Sequence, residues 1–139
     1  MFGRIMVPID LSDRNERALR MALALARQGG AHVTLFHVIE GVPGIRAGEL
    51  QGFYRRLVDS SERKLREAAR RFGDAGIKVG TEVRIGVPAA EIVRAASGKR
   101  VDLVIMGSHR VRPGRRTAGW GTTSYKVGIF CQCPILLVK

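Results

Sequence analysis

Cysteine is scarce: the 139 residues hold two, Cys131 and Cys133. Two cannot build a disulfide framework, and their one-residue spacing is not that of a thioredoxin-type pair. Both thiols are expected half-buried beside the last strand. Histidine is equally thin, with three residues scattered at 32, 37 and 109 and no metal-binding spacing. His32 and His37 read as packing or surface residues. No apolar run approaches the ~18 residues of a membrane span, so no membrane partner is expected. Residue 1 is Met and a strand pattern begins within a few residues, which leaves little room for a targeting segment. A cytoplasmic location is the expectation. Acidic residues are also short, 12 against 24 basic ones, for a net charge of +12. Aromatics make up only 6%. The positive charge is dispersed, with only Trp120 and Tyr125 near its densest cluster, so nucleic-acid binding is disfavoured.

What is present fits a globular domain, with 45% hydrophobic and 26% charged residues. Residues 4–9 (RIMVPI) form a short apolar strand pattern. Asp10 follows, then Asp13 and Glu16 at the spacing of a capping box for a first helix that Gly29-Gly30 stops. Residues 31–39 (AHVTLFHVI) read as a second strand, and the glycine-rich stretch 40–48 as a loop. Apolar residues recur at helical spacing over 50–72, with arginines on the other faces. Residues 77–85 alternate, which predicts an edge strand with one exposed face. Pro88 opens a third helix ending near Gly98. Residues 102–106 (DLVIM) predict a buried strand, 110–121 a basic glycine-rich loop, 122–130 a short helix, and 135–138 a last strand. Alternating strands and helices predict a parallel sheet with helices on both faces, and no second domain or repeat stands out.

In open parallel sheets, ligands bind beyond the carboxyl ends of the strands, where the strand order switches. Three segments end strands with unusual residues: Pro8-Ile9-Asp10, Phe36-His37-Val38, and Gly107-Ser108-His109-Arg110, the last leading to Gly121-Thr122-Thr123-Ser124. Gly107 lets a ligand approach the backbone. Gly121 and the following hydroxyls stand where a helix begins, so free N–H groups there form an anion site. Arg110, Arg112, Arg115 and Arg116 add positive charge, a combination that suits a polyphosphate. It is neither a Walker loop nor the dinucleotide fingerprint. The bland alternative is a surface loop followed by an ordinary helix cap.

The whole chain resembles the universal stress protein family. The resemblance is carried by VPID at 7–10, GAHVTLFHVI at 30–39, GVPAAEIVRAA at 86–96, DLVIMGSH at 102–109, GTTS at 121–124 and CPILLVK at 133–139. It implies one α/β domain over 1–139, with an open parallel five-stranded sheet in the order 3-2-1-4-5. That sheet is Rossmann-like and akin to the adenine nucleotide alpha hydrolases. ATP-binding members carry Gly-x2-Gly, nine residues, then Gly-Ser/Thr. Here Gly107 matches the first glycine and Gly121-Thr122 the closing pair, but Arg110 stands at the second glycine and ten residues intervene. The arginine either pairs with phosphate or obstructs the pocket.

By the same resemblance, Pro8 and Val38 border adenine or ribose, and Met106 lies under the nucleotide. Asp10 sits near the ribose and phosphates beside a Mg²⁺ ion, or else only caps the following helix. Gly107, His109, Arg110, Gly121, Thr122 and Thr123 face the phosphates. The resemblance thus implies ATP or a related adenine nucleotide as a regulatory ligand in stress response or signalling. Hydrolysis is expected to be slow or absent, since no general base is paired with an orienting group. The alternatives are an interaction protein of the same fold without nucleotide, partnered by an unidentified protein, and a polyanion binder. Ile135, Leu136, Leu137 and Val138 form an apolar edge that invites a second copy, and the resemblance points to the same homodimer.

Overall fold

The computed structural model describes residues 1–42, 44, 46–108 and 122–139. Strands and helices alternate as β1 (Arg4–Pro8), α1 (Glu16–Gly29), β2 (His32–Glu40), α2 (Gln51–Asp74), β3 (Val79–Gly86), α3 (Pro88–Gly98), β4 (Leu103–Gly107), α4 (Thr123–Phe130) and β5 (Ile135–Val138). The strands of the described residues pair in parallel in the order β3-β2-β1-β4-β5. This is the Rossmann-like α/β order expected from the sequence.

The short central strands are apolar throughout because both sheet faces are covered. On one face Ile5, Val7, Val33, Leu35 and Ile105 pack with α1 and with Leu65 and Phe72 of α2. On the other, Met6, Phe36, Val104 and Met106 pack against Ile92, Ala95 and Ala96 of α3 and Val127 of α4. Gly30 ends α1 with φ +65°, a left-handed cap that a glycine adopts without strain. Among the described residues no helix is long and apolar enough to cross a membrane.

Two expectations are corrected. The Asp13–Glu16 capping box does not form. Ser12 instead caps a 3₁₀ turn over Asp13–Asn15, and α1 begins after it. Glu16 pairs with Arg20 and with Arg71 of α2, both near 3 Å, so a helix–helix ion pair takes the carboxylate a capping box would use. The polar face of β3 is half-buried rather than open to water. The strand does lie at the sheet edge, but α3 covers Glu82 and Arg84. Glu82 meets Lys99 at 2.7 Å, and Arg84 meets Glu82 at 2.8 Å and Glu91 at 3.6 Å. The Arg84 guanidinium also lies 5.4 Å from the centre of the Phe36 ring. Charged residues on an edge strand are here a paired helix contact.

The strands end at different heights. Arg4 pairs with His32 and Pro8 with Phe36, after which β1 stops while β2 continues to Glu40 beside Gly86. Four residues of β2 therefore pass the end of the central strand, a step of roughly 13 Å at ~3.3 Å per residue.

Candidate functional site

That step is one wall of a cavity of about 410 Å³ at the carboxyl ends of the strands. This is within the range of small-molecule sites. Pro8, Ile9 and Asp10 from the end of β1 line it, with Phe36, His37, Val38 and Glu40 from β2 and Met106 and Gly107 from β4. Pro88 and Ile92 of α3 close one side, and Thr122, Thr123 and Ser124 at the start of α4 another. The structure thus brings together Pro8, Asp10, Val38, Met106, Gly107, Thr122 and Thr123. His109, Arg110 and Gly121 lie outside the described residues.

The cavity has an apolar part and a polar part. Pro8, Val38, Met106 and Ile92 form the apolar part. Asp10 and Asn15 belong to the polar part, on the turn after β1. One Asp10 oxygen, Oδ1, accepts from the Ser12 N–H at 2.9 Å, the Ser12 hydroxyl at 2.6 Å and the Asn15 amide at 2.6 Å. Leu11 sustains this turn with φ +66°, an unfavourable angle for a leucine. Partial burial pushes the Asp10 pKa up, but the Ser12 hydroxyl and N–H, the Asn15 amide and the Arg14 charge outweigh it, and the net shift is downward. Asp10 is therefore a carboxylate at neutral pH, with Oδ2 left over by the bonds that fix Oδ1. Asp10 itself caps neither element: Ser12 caps the 3₁₀ turn and Asn15 stands at the N-cap of α1.

His37 is a packing residue, as expected, and it lines the cavity as well. Its Nδ1 lies 2.7 Å from the Ile9 carbonyl. A carbonyl only accepts, so Nδ1 donates to it. At α4, Thr122 is the N-cap, and its hydroxyl accepts from the Tyr125 N–H at 3.4 Å. A Cβ placed on Gly107 would lie 3.6 Å from the Arg14 carbonyl, an ordinary contact, so the fold does not itself demand glycine there.

Among the described residues lining the cavity, Asp10 and Glu40 are acidic and none is lysine or arginine. An anionic ligand therefore needs its countercharge from a bound cation, from the α4 N-terminus, or from the arginines at 110–116. Asp10 Oδ2 is a fitting ligand for a hard divalent cation, because Mg²⁺ is commonly held by one or two carboxylates together with substrate phosphates. Among the described residues no cluster of three or more His, Cys, Asp or Glu forms a metal cage.

Glu40, Asn15, Pro88 and Ile92 line the cavity without having been singled out for binding. Ser124, one of the hydroxyls named in the sequence at the start of α4, lines it as well. Glu40 and the α3 residues depend on strand overshoot and helix placement, which local pattern does not encode.

Residues 1–139 match the family model described as the universal stress protein family. Universal stress protein MJ0531 of Methanocaldococcus jannaschii is 30% identical, over all of this chain and 83% of its own length. The solved structure of MJ0577 from the same organism superposes with a TM-score of 0.82 at 28% identity, covering 100% of this chain and 96% of that one. A universal stress protein from Archaeoglobus fulgidus, solved in complex with dAMP, has a TM-score of 0.73 at 21% identity, covering 99% and 98% of the two chains.

Proposed function

The chain belongs to the universal stress protein family, and from that premise we propose that it binds an adenine nucleotide, ATP foremost, as a regulatory ligand in stress response. The observation that carries this reading is the two-part cavity. Its apolar slot beside Pro8, Val38 and Met106 suits a purine, and its polar end at Asp10 and Thr122-Thr123 suits ribose and phosphates. The dAMP held by the Archaeoglobus fulgidus relative is a ligand of this same class.

In this reading, Mg²⁺ bound at Asp10 Oδ2 would neutralise phosphate charge. The N–H groups at the start of α4 meet phosphate oxygens. Gly107 allows close approach, and His109, Arg110 and Gly121 complete the phosphate side. Hydrolysis is slow or absent, because a carboxylate with a lowered pKa is a weak base. The protein acts as a cytoplasmic homodimer. In support of the homodimer, β5 pairs only with β4 among the described residues, and Leu137 on it and Ile129 and Phe130 on α4 are exposed.

Calorimetric titration with Mg²⁺–ATP, AMP and a polyanion tests the reading. Saturable heat with ATP, abolished by Gly121→Leu, is the expected result. Absence of nucleotide heat, in protein shown free of carried-over ligand, overturns it. That result would leave the interaction protein without nucleotide, a reading favoured by Arg110 and the ten-residue spacing before Gly121.

A further inference from the structure

Cys131 and Cys133 lie outside the cavity just described, and their sulfur atoms are 3.4 Å apart. Backbone geometry causes this approach. Cys131, the C-cap of α4, is extended at φ −74° and ψ 138°, with its N–H bonded to the Val127 carbonyl. Pro134 disfavours the helical region for Cys133. The chain then bends at Gln132 and Cys133, and this brings the two thiols together.

Both are half-buried and pack against the core cluster that includes Val127 and Ile135. A small cavity of about 210 Å³ opens beside them, lined also by Val93, Ala96, Ser97, Arg100 and Val101. It has room for a small oxidant. Among the described residues no third histidine, cysteine or carboxylate joins the pair, so it lacks the donor set of a structural metal.

We propose that Cys131 and Cys133 are a dithiol that hydroperoxides convert to an intrachain disulfide, a redox-modification site separate from the nucleotide cavity. The Cys131 thiolate attacks one peroxide oxygen, and the O–O bond breaks. With hydrogen peroxide, hydroxide leaves and takes up a proton as water, and Cys131 becomes a sulfenic acid. The Cys133 sulfur then attacks the Cys131 sulfur. The S–O bond breaks, hydroxide leaves with the Cys133 proton as a second water, and the S–S bond forms. Two thiols and one hydrogen peroxide give one disulfide and two waters.

The order of attack follows from the environment. Partial burial foremost, then the hydrogen bond to Cys131, pushes the Cys133 thiol up to about 12, so Cys133 holds its proton. Cys131 is left as the attacking sulfur. The sulfurs must close from 3.4 Å to about 2.05 Å, a movement of side-chain torsions. A ring this small removes little chain entropy, so the bond acts as a chemical mark more than as a staple.

The test treats the reduced full-length chain with graded hydrogen peroxide, blocks remaining thiols with N-ethylmaleimide, and reads intact and peptide masses. The expected product has lost two hydrogens, carries no maleimide, links 131 to 133 within one chain, and reverts with dithiothreitol. Cys133→Ser should stop at a dimedone-trapped sulfenic acid on Cys131. Cys131→Ser should form sulfenic acid about tenfold more slowly. Circular dichroism checks that both variants fold. Passage of both cysteines to sulfinic or sulfonic acid without the two-hydrogen loss would overturn the proposal. So would disulfides formed only between chains.

Discussion

Replacing Asp10 by Asn separates two roles the residue combines. An amide oxygen has two lone pairs for the three donors on Oδ1, so the turn after β1 keeps most of its bonds. What disappears is the charge. A hydrogen bond to a charged group contributes about 1.5–3 kcal/mol and a neutral one about 0.5–1.5. Asp10 stands largely in water, which discounts that difference, so Asp10→Asn should cost roughly 1 kcal/mol in urea unfolding at pH 7. The sign with pH follows from the lowered native pKa. The stabilisation is present above the unfolded value near ~3.9 and is lost as pH falls through the native one. The gap between wild type and variant should therefore hold from neutral pH to about 5 and close below about 4. Nucleotide binding should respond differently. No lysine or arginine lines the described cavity, so Mg²⁺ should strengthen ATP binding to the wild type and have little effect on the variant. A stability gap that persists unchanged to pH 3, or Mg²⁺ dependence that survives in Asp10→Asn, would refute the reasoning.

Other outcomes are open to direct measurement. Phe72 is fully buried between α2 and the sheet, and Phe72→Ala should cost about 3–5 kcal/mol, lowering Tm by on the order of 10 °C. Gly107→Ala has room in the fold and should change stability by less than about 0.5 kcal/mol. A calorimetric loss of ATP affinity of about tenfold or more in that variant would then report a clash with the ligand itself, whereas unchanged affinity would place the phosphates elsewhere. Leu137→Lys puts a charge on β5, and if the proposed homodimer forms through that strand, sedimentation velocity should show a dimer for the wild type and a monomer for the variant.

Much of the fold was legible because the central strands β1 and β4 are apolar throughout and α1, α2 and α3 each carry a helical period. The cavity residues at strand ends were legible for the same reason: Asp10 follows β1 at once, and Gly107 closes β4. Legibility failed where a distant partner decides. Asp13 and Glu16 have capping-box spacing, but Arg71 holds Glu16 from fifty-five residues away, and Asp10 organises the turn through Ser12. Glu82 and Arg84 look solvated in alternation, yet residues of α3 pair with them. Glu40, Pro88 and Ile92 enter the cavity through the unequal lengths of β1 and β2, a property of register. The half-buried thiols were expected, whereas their 3.4 Å approach depends on the bend at Gln132 and Cys133 after α4.

The step between β1 and β2 has a consequence beyond making room. The Phe36 carbonyl accepts from the Ile9 N–H, so it points toward β1. Peptide groups repeat their direction every two residues along a strand, and those of Val38 therefore point the same way, past the last residue of β1. There, among the described residues, no strand pairs with that edge of β2, and Val38 lines the cavity. Exposed on the outside of a protein, such an edge invites aggregation. Enclosed here, one N–H and one C=O at fixed spacing can read the hydrogen-bonding edge of a flat heterocycle. If the proposed nucleotide binds here, selectivity among bases would reside in the main chain, where side-chain substitution alters it least.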